Sequence, residues 1–184
     1  MTPWNPVTPW QPNLSWITPD LAVGGRFPVE QAEHLARALE LRAVVDLRAE
    51  ECDDEEVLAR HGLTLLHLPT LDLCAVSRPM LDEGVAWVNR HLDRGDRVLI
   101  HCEHGIGRSA TLALCVLVSR GMAPLDALEL AKARRAVVSP SPAQYGAWVA
   151  WMEAFAAANP APWTVPGFDA FKAIAYRHLA GWDG

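Results

Sequence analysis

Cys102 and Arg108 bracket five residues in the stretch His101-Cys102-Glu103-His104-Gly105-Ile106-Gly107-Arg108-Ser109. This spacing suits a turn that holds an anion over a nucleophile. Arg97-Val98-Leu99-Ile100 reads as a buried strand, and Ala110 to Val118 as a helix apolar on almost every face. A loop joining the two points its backbone N–H groups at a helix N-terminus, where free amides and the positive end of the dipole attract negative charge. Gly105 and Gly107 let it curl tightly. A free thiol titrates near roughly 8.5, but a helix N-terminus and a nearby cation bring it to about 3.5 to 7.5, so Cys102 is expected to be a thiolate. Arg108 has the planar fork that pairs two phosphoryl oxygens at once, which a lysine cannot do.

The nine residues HCEHGIGRS resemble the HCxxGxxRS signature of the cysteine-dependent protein tyrosine and dual-specificity phosphatases. Val44-Val45-Asp46-Leu47-Arg48 and Leu66-His67-Leu68-Pro69-Thr70-Leu71-Asp72 resemble the strands and acid loop that precede the signature in compact dual-specificity members. The segment Pro124 to Ala136 and the run Pro140-Ser141-Pro142-Ala143-Gln144-Tyr145 follow in the same order, so the resemblance covers roughly residues 14 to 158. It implies an α/β fold with a central, mostly parallel sheet and helices on both faces. It also implies phosphomonoester hydrolysis through a phosphocysteine, on a phosphorylated protein or a small phosphomonoester, without metal or cofactor.

The resemblance further assigns roles. Cys102 attacks phosphorus, Arg108 and the loop from Glu103 through His104, Gly105, Ile106 and Gly107 gather the phosphoryl oxygens, and Ser109 bonds the leaving thiolate. His101 orders the loop, or equally is a satisfied core histidine. An alkoxide leaves poorly unless protonated, so an acid is required. Asp72, just past the strand Thr64 to Leu68, is the candidate; Asp82, within the helical pattern Leu81, Val85, Val88 and Leu92, is the alternative. The signature lacks a lysine, which disfavours multiply phosphorylated lipids, and a phospholipid, inositol phosphate or phosphosugar remains the second substrate class. Rhodanese-like sulfurtransferases have four residues rather than five between cysteine and arginine, and a binding-only phosphate module would not need nucleophile, hydroxyl and acid together.

With 184 residues, 51% of them hydrophobic, the chain can bury a core. A net charge of -6 with no basic stripe argues against nucleic acid. The four cysteines, at 52, 74, 102 and 115, have no paired metal spacing and fit a reducing, cytoplasmic setting. Cys115 reads as core; Cys52 or Cys74 is a candidate resolving thiol for Cys102. No apolar run is long enough to span a bilayer, and no secretory signal is visible.

Three segments follow from these patterns. Residues 1–13 are a Pro- and Trp-rich opening in which Thr2-Pro3-Trp4 recurs as Thr8-Pro9-Trp10, read as an extended strip with its indoles in grooves. Residues 14–158 form the catalytic unit. Within it, strands at Leu21 to Val23 and Ala43 to Leu47 flank a helix over Pro28 to Leu39, and a further helix runs from Glu51 to Arg60. The carboxylates Glu50, Glu51, Asp53, Asp54, Glu55 and Glu56 at that helix start read mostly as a solvated face. Ser141-Pro142-Ala143-Gln144 has a capping-box pattern, followed by one helical face of Tyr145, Trp148, Val149, Met152 and Phe155. Residues 159–184 are an extension whose helix, Phe168 to Leu179, buries Phe168, Phe171, Ile174, Ala175 and Leu179.

Overall fold

The computed structural model describes residues 10–179. Five strands, β1 (Leu14–Trp16), β2 (Leu21–Gly24), β3 (Leu41–Arg48), β4 (Thr64–Thr70) and β5 (Arg97–His101), form one sheet in the order β1-β2-β5-β3-β4. β1 is antiparallel to β2 and every other pairing is parallel. Alternate residues feed opposite faces, as the two-residue strand period requires. Val23, Val45, Val98 and Ile100 join one apolar cluster, and Ala22, Val44 and Leu99 the other.

Helices cover both faces. α1 (Ala32–Arg37) and α2 (Glu55–Arg60) bury Leu35 and Leu58 on the second cluster. The larger first cluster receives α3 (Arg78–Asp93), α4 (Arg108–Ser119), α5 (Pro124–Arg134), α6 (Pro142–Ala158) and α7 (Phe168–Ala175). The α/β architecture is therefore the expected one. α4 follows β5, a strand flanked on both sides by parallel partners, and is buried from Arg108 to Val118. In parallel sheets ligand sites form beyond the carboxyl ends of such strands.

Three local expectations are corrected. The helix expected from Glu51 begins only at Glu55, because Asp54 caps it by accepting from Val57 N–H at 3.0 Å while Asp53 turns inward. The helix expected over Pro28 to Leu39 starts as a 3-10 turn, Val29–Gln31, and its α-helical part ends at Arg37. α7 stops at Ala175 rather than Leu179: Arg177 N–H already bonds Ile174 O, three residues back, at 3.4 Å. Lys132 Nζ takes the Ala175 carbonyl at 2.7 Å, the acceptor a continuing helix would offer residue 179; Leu179 N–H bonds Tyr176 O instead, and its side chain is exposed. The other Lys132 bonds go to Val138 O and His178 Nδ1, at 2.7 and 2.6 Å. Burial, with the nearby Arg177 charge, brings the Lys132 pKa down to about 8.

Of the opening segment, Trp10 is described: it meets the His34 ring edge-on at 5.6 Å, and residues 1–9, including the first Thr-Pro-Trp, lie outside the described part. Ser141 and Gln144 form the expected capping box at the start of α6. Among the described residues no helix is long and apolar enough to cross a membrane.

Phe171 of α7 is fully buried, with ring centroids of Tyr145 at 4.7 Å and Tyr176 at 5.7 Å. Phe171→Ala is expected to destabilise the protein by about 3–5 kcal/mol in urea unfolding, through lost burial and the cavity left behind. A loss under about 1 kcal/mol would mean that α7 contributes little to the core.

Candidate active site

β5 ends at His101, α4 begins at Arg108, and the six residues between them curl beneath the α4 N-terminus. Gly105 is at φ +69°, where a Cβ would stand 2.4 Å from the Gly24 carbonyl carbon, so both the turn and its packing on β2 require glycine. A Cβ on Gly107 would meet Gln144 Oε1 at 2.3 Å. Arg135 holds the outer side of the turn, donating from Nε to Gly105 O at 2.7 Å and from Nη2 to His104 O at 2.9 Å. With those carbonyls drawn outward, peptide N–H groups face inward. Arg135 also reaches Asn13 Oδ1 at 2.8 Å, tying the residue just before β1 to the turn.

Cys102 lies at the floor, 3% exposed. Gly105 N–H donates to Sγ at 3.3 Å, and Ser109 Oγ is also 3.3 Å away, the donor when sulfur is a thiolate. Burial by itself would raise the Cys102 pKa. The Ser109 hydroxyl, the Ser109 and Gly105 backbone amides and the Arg108 charge outweigh burial and lower it. Sulfur opens into a cavity of about 110 Å³ lined by Asp72, Leu73, Cys102, His104, Ile106, Gly107, Ser139 and Gln144. A larger cavity, about 520 Å³ and lined by Arg26, Arg48, Cys52 and Asp53 among others, does not include Cys102.

Arg108 is buried and bidentate, but toward protein: Nη1 and Nη2 each donate to a Glu50 oxygen at 2.8 Å, and Nη1 also to Thr70 O at 2.8 Å. Its Nε–H has no partner among the described residues. Asp72 sits two residues past β4, with Oδ1 3.4 Å from Arg108 Nη2 and accepting from Leu73 N–H at 3.0 Å. The structure thus brings Asp72 to the sulfur's cavity. Asp82 is on α3, paired with Arg78 at 3.1 Å, and does not line it.

His101 is fully buried, with Nε2 2.7 Å from Asp53 Oδ2 and Nδ1 3.3 Å from Cys102 O. Asp53 is braced by Arg48 Nη2 at 2.7 Å, and Arg48 also pairs with Asp46 and Glu51. Asp46, Asp53 and His101 are close enough for a metal ion, and Arg48 pairs with both carboxylates there. Glu103 points away from the cavity to Arg26, at 3.0 Å. Cys115 is core, and burial pushes its thiol well up. Cys52 and Cys74 are exposed, neither lines the Cys102 cavity, and the Cys52 thiol is raised by partial burial and by Asp46 and Asp53.

The acidic cluster is mostly exposed, as expected, with Asp53 partly buried. Glu50 and Asp53 serve Arg108 and His101, and nothing in a local run of carboxylates distinguishes those two from Glu55 and Glu56. Arg135 and Gln144 were also missed as site residues, since their contacts join segments distant in sequence. The capping-box pattern located Gln144 on α6 but not beside the turn. Its Nε2 is buried without a partner among the described residues.

A buried thiol with a lowered pKa, ringed by amides and backed by an arginine, is the chemistry of a cysteine phosphatase, and the comparisons agree. Residues 11–145 match the family model described as Swiss Army Knife protein, DSP-PTPase phosphatase domain, and the chain belongs to that family. Dual specificity protein phosphatase 1 of Mus musculus is 39% identical over 61 residues, which are 33% of this chain and 17% of that protein. The chain thus spans only a small part of the curated relatives it matches. Among solved structures, Tk-PTP in its active form aligns with a TM-score of 0.71 and 27% identity, over 78% of this chain and 99% of that one. PTPMT1 in complex with PI(5)P aligns at 0.72 over 77% and 96% of the two chains; at 21% identity it speaks for the fold alone.

Two outcomes are expected from this geometry. Ser109→Ala removes a donor to sulfur, so the pH midpoint of Cys102 alkylation by iodoacetate moves upward; an unmoved midpoint would dismiss the hydroxyl's part. The Arg108 hydrogen bond lowers the Glu50 pKa from 4.5 to about 2. A depressed carboxylate stabilises the fold above its unfolded pKa and loses that contribution as pH falls through the folded value. Glu50→Gln should accordingly flatten the fall of melting temperature between pH 4.5 and about 2.

Proposed function

We propose that the protein hydrolyses phosphomonoesters through a phosphocysteine, as a tyrosine or dual-specificity protein phosphatase, with residues 14–158 as the catalytic unit and 159–184 as a bracing extension. The reading rests on one observation above the others: Cys102 Sγ shares its small cavity with the Asp72 carboxyl while accepting from Gly105 N–H and lying 3.3 Å from Ser109 Oγ. Four free cysteines, two of them exposed, support a reducing, cytoplasmic setting.

In the first step Cys102 Sγ attacks phosphorus in line, the S–P bond forms, and the ester P–O bond breaks. Asp72 in its acid form protonates the departing oxygen. Loop amides and Arg108, whose Nε–H is unpartnered and whose Nη2 faces Asp72, collect the phosphoryl oxygens. Water then attacks phosphorus, Asp72 takes its proton, the S–P bond breaks, and inorganic phosphate leaves. Ser109 donates to the returning thiolate. His101, held by Asp53, supports the loop rather than moving a proton.

The cavity wall supplies Leu73, Ile106 and His104 but no lysine, and Leu71 and Leu73 are exposed beside it. An apolar surround suits an aryl or peptide phosphate better than a polyanionic headgroup.

With an aryl phosphate, Cys102→Ser should abolish turnover while retaining vanadate binding; turnover at the wild-type rate would remove Cys102 from its role. Asp72→Ala should lose about 10²-fold or more on alkyl esters and far less on activated aryl esters. Equal rates with wild type on both esters would remove Asp72 as the acid.

A further inference from the structure

The loop that carries Asp72 contains an unexplained conformation. Leu73 is at φ +60°, which a residue with a branched side chain rarely adopts. Its side chain is 69% exposed, so packing does not hold it there. Cys74 N–H closes the local turn on Leu71 O at 3.2 Å, and from 68 residues away Ser141 Oγ–H donates to Leu73 O at 2.7 Å. As N-cap of α6, Ser141 already accepts from Gln144 N–H at 3.2 Å, which occupies only an oxygen lone pair. The hydroxyl proton is spare for the loop. Ser141 N–H donates in turn to Gln144 Oε1 at 2.8 Å, and Gln144 packs beside Gly107 in the phosphate turn.

We propose that Ser141 is a positioning residue whose hydroxyl, donating to the Leu73 carbonyl, fixes the turn that aims Asp72 at the leaving group. The inference rests on Asp72 being the acid. Leu73 N–H donates to Asp72 Oδ1 at 3.0 Å, so the residue whose N–H orients the carboxyl is held at its carbonyl end by Ser141. Without the donor, Leu73 relaxes to negative φ, its N–H swings, and the carboxyl leaves its place by the cavity. The capping box thus joins the acid loop to the floor of the site through the path Leu73, Ser141, Gln144, Gly107.

Capping and positioning separate by substitution. Ser141→Asp accepts at the cap but cannot donate, Ser141→Gly costs an N-cap little, and Ser141→Thr keeps both functions. The measurement is kcat/KM against pH for p-nitrophenyl phosphate, whose leaving group needs little protonation, and phenyl phosphate, whose leaving group needs much, with Asp72→Asn alongside. Ser141→Asp and Ser141→Gly should lose about tenfold or more on phenyl phosphate and under about threefold on the nitrophenyl ester. Their alkaline limb should weaken as in Asp72→Asn, and Ser141→Thr should restore wild-type behaviour. Equal losses on both esters, or none, would overturn the positioning role. Should Asp72→Asn itself show no dependence on leaving group, the acid assignment falls and the inference with it; a dependence in Asp72→Asn alone overturns only Ser141.

Discussion

Lowering the pKa of a thiol in a place almost closed to water is the constraint that organises this molecule. Burial favours the neutral thiol, so donors must outweigh it, and at Cys102 they do: hydroxyl, amides and a guanidinium converge on one atom. That convergence needs six residues folded tightly enough for peptide N–H groups to face inward. The turn in turn depends on Gly105 lying against the Gly24 backbone and on Arg135 drawing two carbonyls outward. β2, Asn13 just before β1 and the end of α5 are thereby committed to the site.

The second demand is to hold cations where they work. Arg108 is useful only if its planar group is oriented, and Glu50 does this with two parallel hydrogen bonds, leaving Nε–H free. Arg48 gathers Asp46, Glu51 and Asp53, and Asp53 fixes the buried His101 ring. A carboxylate run that looks like surface is thus partly the framework of the site. Breaking such a buried pair by removing one partner leaves a charge uncompensated, so these residues are bound to act together.

How much could be read beforehand varied with the range of the contact. The strand before Cys102, the buried helix after Arg108 and the α6 capping box depend on neighbours within a few residues, so pattern and spacing exposed them. The end of α7 was not legible: the Phe168, Phe171, Ile174, Ala175 stripe continues to Leu179, while the helix gives way at Tyr176 and Lys132, from α5, takes the Ala175 carbonyl. Glu51 to Asp54 looked helical for the same reason. Asp53 turns inward to partners on β3 and β5, which local propensity does not contain.

For the site, the sequence by itself determined the kind of chemistry, because a cysteine, two glycines, an arginine and a serine at fixed spacing after a strand leave the backbone few ways to turn. It also placed Asp72 just past the strand that forms β4. Only the tertiary structure decided which residues orient these groups: Glu50 on Arg108, Asp53 on His101, Arg135 on the turn and Ser141 on the acid loop. The physical reason is that a side chain's orientation depends on partners supplied by distant segments. Which segments those are becomes definite only once the sheet order β1-β2-β5-β3-β4 brings their ends together.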